Sequence, residues 1–218
     1  MSSFLRKAVR FGGQFIRSPH QKLAELPAIV ESLRMRVRQD STFRRPCDLE
    51  HASNCPARML DKAIAMFVPA SVLDVGCGTG KVLDYLLSRG IRDVYGLEGS
   101  ELAIAASQQP ALIRKSDLSL PVDLGRTFDL VYSVEVAEHI KPEAAVHFAG
   151  TCARHSNRVL FTAARPGQGG LGHLNEQEPA YWIDIFTSLG MRLDEPATAE
   201  LKALHDLFHE NLMVFVRP

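Results

Sequence analysis

The chain has 218 residues, 46% hydrophobic and 23% charged, which is enough for one well-buried core. Its formal net charge is zero but uneven: residues 1–45 carry ten Lys/Arg against three Asp/Glu, and the remainder carries fifteen against twenty-two. The acidic main body argues against a nucleic-acid polymer as partner, and no apolar run approaches the roughly twenty residues that cross a membrane.

In chain order, a basic and partly helical extension at 1–45 precedes one domain at 46–218. The start lacks the apolar region of a secretory signal, so a cytoplasmic location is expected. Phe4 to Phe11 alternates basic and apolar residues, which suits a docking arm or weak association with an anionic surface. Leu23 to Val37 has an amphipathic pattern, with Leu26, Ile29, Val30, Leu33 and Val37 on one side. Such a helix could cap a ligand cleft or form a homodimer contact. Cys47, Cys55, Cys77 and Cys152 show neither a C-x-x-C pair nor zinc spacing, as expected of reduced thiols.

Arg58 to Phe67 reads as a helix, Val72–Val75 as a first strand and Lys81–Ser88 as a helix. A second strand ends at Leu97, a helix spans Glu101–Ser107, and Ala111–Arg114 is a short third strand. Phe128–Val134 is a fourth strand, Pro142–Ala153 a helix with proline in its first turn, and Val159–Ala163 a fifth strand. A glycine-rich loop at 164–178, a helix at Pro179–Leu189 and an apolar last strand at Leu212–Val216 complete the chain. Strands alternating with helices predict an α/β fold: a doubly wound, mostly parallel sheet with helices on both faces.

One segment carries most of the chemistry: Val72-Leu73-Asp74-Val75-Gly76-Cys77-Gly78-Thr79-Gly80. An apolar strand ends at an acid, glycines at every second position follow, and a helix begins. Glycines let the backbone turn tightly and approach a ligand, and the helix N-terminus behind them presents free N–H groups. The spacing is neither the G-x-G-x-x-G of dinucleotide sites nor a P-loop. Asp74 beside the loop suits a cationic ligand and repels a pyrophosphate. A nicotinamide oxidoreductase is therefore the weaker reading.

This segment resembles motif I of the class I S-adenosylmethionine-dependent methyltransferases. Three later segments fall in that family's order: Val94-Tyr95-Gly96-Leu97-Glu98, Ile113-Arg114-Lys115-Ser116-Asp117-Leu118, and the strand-four stretch Phe128 to Ile140. The resemblance implies a Rossmann-like seven-stranded sheet with the last strand antiparallel. It implies that Asp74, Gly76, Gly78 and Gly80 hold the methionine part of S-adenosyl-L-methionine, that Glu98 takes the ribose diol, and that Asp117 and Leu118 meet the adenine. Asp117 reads equally well as a turn or cap residue.

Two segments reach the acceptor end of such a sheet: Glu135-x-x-Glu138-His139 after strand four, and Gly169-Gly170-Leu171-Gly172-His173-Leu174-Asn175 after strand five. Glu135, Glu138, His139 and His173 form an O,O,N,N donor set that suits Mg²⁺, Mn²⁺, Fe²⁺ or Zn²⁺. The set is similar to the Glu-x-x-Glu-His plus distant His site of small-RNA 3′-end 2′-O-methyltransferases, and a like segment occurs in ubiquinone-pathway O-methyltransferases. The expectation is methyl transfer to a hydroxyl of a small acceptor, such as a sugar, glycan or secondary metabolite. Glu135, His139 and His173 are the expected catalytic groups, with or without a divalent metal. The alternatives are an N- or C-methyltransferase with a histidine base, and a non-catalytic interaction module that keeps the fold.

Overall fold

The computed structural model describes residues 55–218. The expectations placed on the basic extension, the Leu23–Val37 helix and Cys47 lie outside these residues.

The described elements are α1 (Ala57–Phe67), β1 (Ser71–Val75), α2 (Lys81–Ser88), β2 (Asp93–Glu98), α3 (Glu101–Ala105), β3 (Ile113–Lys115) and β4 (Leu130–Ser133). After these come α4 (Ala145–His155), β5 (Arg158–Phe161), α5 (Pro179–Ser188), β6 (Arg192–Leu193), α6 (Glu195–Lys202) and β7 (Met213–Val216). The seven strands form one sheet in the order β3-β2-β1-β4-β5-β7-β6. β1 pairs in parallel with β2 and β4, while β7 runs antiparallel between β5 and β6.

Alternate residues of the central strands feed two cores. Leu73, Val131, Phe161 and Phe215 face one layer with Phe148, Trp182 and Phe186. Val72, Leu130, Tyr132, Leu160 and Val214 face the other with Leu60, Leu83 and Leu86. Burial on both faces explains why these strands are continuously apolar rather than alternating. Trp182 is fully buried against Phe161, with ring centroids 5.1 Å apart, so it is a core residue.

The chain winds from β1 outward to β3, then crosses to β4 on the other side of β1. That reversal opens a crevice at the carboxyl ends of β1 and β4, where ligands bind in open α/β sheets.

Several boundaries differ from expectation for local reasons. The third strand starts at Ile113, because Pro110–Leu112 is a tight 3₁₀ turn. The fourth starts at Leu130, because the Phe128 amide bonds the His155 carbonyl instead of a neighbouring strand. The helix expected from Pro142 is a 3₁₀ turn at Pro142–Ala144 followed by α4. β6 and α6 had no counterpart in the expected elements. α6 nonetheless carries a readable start: Asp194 caps the Ala197 amide at 3.2 Å, and proline lies in the first turn.

Candidate active site

The glycine loop is built from backbone that only glycine adopts easily. Gly76, Gly78 and Gly80 have φ of +85°, +53° and +78°. A Cβ on Gly76 would also lie 2.4 Å from the Val136 side chain. Cys77 is buried with its sulfur against Gly96, where a Cβ would lie 2.6 Å from it.

Two acids stand behind this loop. Asp74 is 3% exposed, and burial, aided by the Glu98 charge, pushes its carboxyl well above the ordinary range. Glu98 accepts the Gly78 amide at 2.8 Å and the Ser100 amide at 2.7 Å. Burial raises its carboxyl too, although those amides oppose the rise. Two buried acids at one loop form a place that favours positive charge and hydrogen-bond donors. Asp117 is exposed and binds its own turn, accepting the Ser119 amide at 2.9 Å, while Leu118 is buried in the core.

The acceptor edge lies past β4 and β5. Glu135 has φ +54°, costly for a residue with a side chain. Its carboxylate accepts Thr162 Oγ1 at 2.7 Å, Gln168 Nε2 at 2.9 Å and Asn211 Nδ2 at 3.2 Å. Glu138 follows in a 3₁₀ turn at Ala137–His139 and is fully buried. Neither of its carboxylate oxygens has a well-formed hydrogen bond among the described residues. Burial, with the Glu135 charge beside it, pushes the Glu138 carboxyl up to about 9, and the nearby amides of Glu138 and Ala164 offset this only in part. Its main-chain carbonyl accepts the amides of Leu174 and Asn175 at 2.7 and 3.0 Å, which ties the two acceptor loops together.

His139 and His173 meet edge to face, with ring centroids 5.0 Å apart. His139 Nδ1 lies 3.2 Å from the Gly172 carbonyl, and His173 Nδ1 lies 2.8 Å from Glu176 Oε1. Both partners only accept, so each Nδ1 carries a proton. Burial holds His139 below its ordinary value and keeps it neutral.

One donor atom from each of Glu138, His139 and His173 lies within 4.8 Å of the others. The sequence had grouped four residues; the structure brings these three together. Glu135 is turned to Thr162, Gln168 and Asn211 instead. Those three residues and Glu176 escaped the sequence reading. Of them, only Glu176, three residues after His173, carried a local signal. A cleft of about 650 Å³ at the opposite edge of the sheet, around Phe67, Phe128 and Arg158, contains none of these groups.

No curated protein matches the chain at the sequence level. Among solved structures it is similar to the S-adenosylmethionine-bound amino pentose methyltransferase CalS10 of Micromonospora echinaspora, at TM-score 0.61 and 17% identity, over 75% of this chain and 90% of that one. It is similar to the sugar N-methyltransferase KedS8 of Streptoalloteichus, at 0.58 and 15%, over 99% of each chain. It also resembles magnesium protoporphyrin IX methyltransferase of Synechocystis with bound S-adenosylhomocysteine, at 0.54 and 18%, over 74% of this chain and 83% of that one. At such identities these likenesses speak for the fold. Residues 73–160, from β1 through β5, match the methyltransferase domain family. With that match, the glycine loop and the seven-stranded sheet, residues 73–160 carry a methyltransferase domain, and the sheet has the fold of the S-adenosylmethionine-dependent methyltransferases.

Proposed function

We propose that the chain transfers the methyl group of S-adenosyl-L-methionine to a hydroxyl of a small acceptor, such as a sugar, and that Glu138, His139 and His173 seat a divalent metal beside it. The observation that carries the metal is the Glu138 carboxylate, buried without a well-formed hydrogen bond and within 4.8 Å of two imidazole nitrogens. Ionising a carboxyl buried this deeply is expensive, so it holds its proton unless a cation takes that proton's place. Both imidazoles are already fixed through Nδ1, which is how ligating histidines are normally held.

On this reading Asp74 and the glycine loop receive the methionine part, and Glu98 receives the ribose hydroxyls with the lone pairs that the Gly78 and Ser100 amides leave free. Asp117 and Leu118 would border the adenine. The sulfonium methyl is already activated, so the protein's main task is placement. The acceptor oxygen attacks the methyl carbon, the S–CH₃ bond breaks, and S-adenosylhomocysteine leaves. The acceptor's proton passes to solvent. A divalent ion would lower the pKa of the bound hydroxyl and orient it. The Glu135 network with Thr162, Gln168 and Asn211 shapes the wall against which the acceptor rests.

A second reading has an amine acceptor, no metal, and His139 or His173 as the base. Its support is that the similar proteins CalS10 and KedS8 are named as an amino pentose methyltransferase and a sugar N-methyltransferase. Metal analysis of untagged protein, with turnover measured in the presence and absence of chelator, separates the two. Chelator should abolish transfer on the first reading. Metal-free protein with full turnover would leave the second. Calorimetry with S-adenosylhomocysteine and NAD tests the cofactor, and NAD binding alone would sink both.

A further inference from the structure

We propose that Glu176 is the positioning residue of the acceptor edge: one carboxylate shapes the loop after β5 and also fixes the His173 imidazole with its proton on Nδ1 and its lone pair on Nε2. The inference rests on the reading of this edge as the methyl-transfer site. Glu176 Oε1 accepts the Gly169 amide at 2.7 Å and His173 Nδ1 at 2.8 Å, and Oε2 accepts the Gly167 amide at 2.9 Å. Gly167 and Gly169 have φ of +86° and +68°, so the segment turns sharply there and aims both amides at one carboxylate. A single side chain holds both.

The ring has a second constraint. A Cβ on Gly170 would lie 2.2 Å from His173 Nε2, so the imidazole sits where only glycine leaves room. Gly170 is not among the glycines with positive φ, so the ring, rather than the backbone, demands glycine there. With Glu176 at Nδ1, Gly170 beneath Nε2 and His139 edge-on at 5.0 Å, the ring is held on three sides. Removing the carboxylate frees the ring to rotate and the proton to move to Nε2, which ends its use as a ligand or base.

The test uses full-length protein labelled with ¹⁵N-histidine at pH 8, with the His173 signals assigned through His173→Asn. Long-range ¹H–¹⁵N spectra should give the Nδ1–H tautomer in the wild type and a mixed or Nε2–H signal in Glu176→Ala. Glu176→Gln, whose amide oxygen still accepts, should restore Nδ1–H. Affinity for S-adenosylhomocysteine should stay within about two-fold in all variants, showing that they fold. Affinity for Mn²⁺ should fall about 10–100-fold in Glu176→Ala, the usual loss when a ligand's orienting partner is removed. A wild-type spectrum with His173 as Nε2–H overturns the proposal, as does an unchanged Nδ1–H signal in Glu176→Ala. A wild type that binds no Mn²⁺ removes the metal reading, and the tautomer still decides the role of Glu176.

Discussion

Glu138→Gln should make the metal-free protein more stable relative to the wild type as pH rises. The Glu138 carboxyl ionises at 4.5 in an ordinary setting and at about 9 in the fold, chiefly because it is buried. Between those values the folded state holds a proton that the unfolded chain has released. Stability from this group is therefore complete below pH 4.5 and drains away as pH climbs toward 9. At roughly 1.36 kcal/mol per pH unit, the loss by pH 7 is about 3 kcal/mol. Glutamine has nearly the same shape and no such proton. The gap between variant and wild type should therefore shift by about 3 kcal/mol in the variant's favour from pH 4.5 to 7. Urea unfolding in chelator at several pH values measures this directly. Adding Mn²⁺ should recover the lost stability in the wild type and not in the variant, because a cation replaces the proton. Parallel pH curves for the two proteins would refute the reasoning.

Asp74→Asn should raise the melting temperature of ligand-free protein near neutral pH by removing a buried acid, and should weaken S-adenosylmethionine binding; a lower melting point with unchanged affinity would count against this. Gly76→Ala forces an alanine to φ +85° and its methyl into Val136, so calorimetry should register at least about a ten-fold loss of S-adenosylhomocysteine affinity. Phe186, fully buried and stacked on Phe215 at 4.1 Å, should cost about 3–5 kcal/mol of unfolding free energy when replaced by alanine, with cofactor affinity of the folded fraction unchanged. His155 donates from Nδ1 to the Thr151 carbonyl at 2.7 Å and accepts the Leu124 amide at 2.9 Å, so His155→Leu should leave that amide unpaired and cost about 1–3 kcal/mol in the same assay.

The cofactor half of the site was legible because its chemistry is written in consecutive residues. Strand, acid, alternating glycines and helix each follow from local sterics, and α2 begins and ends where its pattern predicts. The acceptor half was legible only as a set of residue types. Glu135 and Glu138 look equivalent in sequence, three residues apart. The left-handed turn at Glu135 sends its side chain to Thr162 and Asn211, whereas Glu138 enters a 3₁₀ turn beside His139. Nothing in the residue types announces that turn. Asn211 was beyond reach for another reason: it meets Glu135 only because β7 inserts beside β5 and brings its preceding turn to the same edge. Asp117 shows the limit of motif order, since its local bonds to Ser119 are those of any turn aspartate.

Cys77 places a sulfur nucleophile inside a loop proposed to handle an electrophilic methyl donor. A thiolate there would compete with the acceptor and alkylate itself. Its burial, with Asp74 and Glu98 nearby, raises the thiol well above its ordinary value, and its sulfur is packed against Gly96. Because the thiolate is the reactive form, the loop resists both self-methylation and oxidation by peroxide. The same acids that would attract the donor's positive charge also protect the loop from the donor's reactivity.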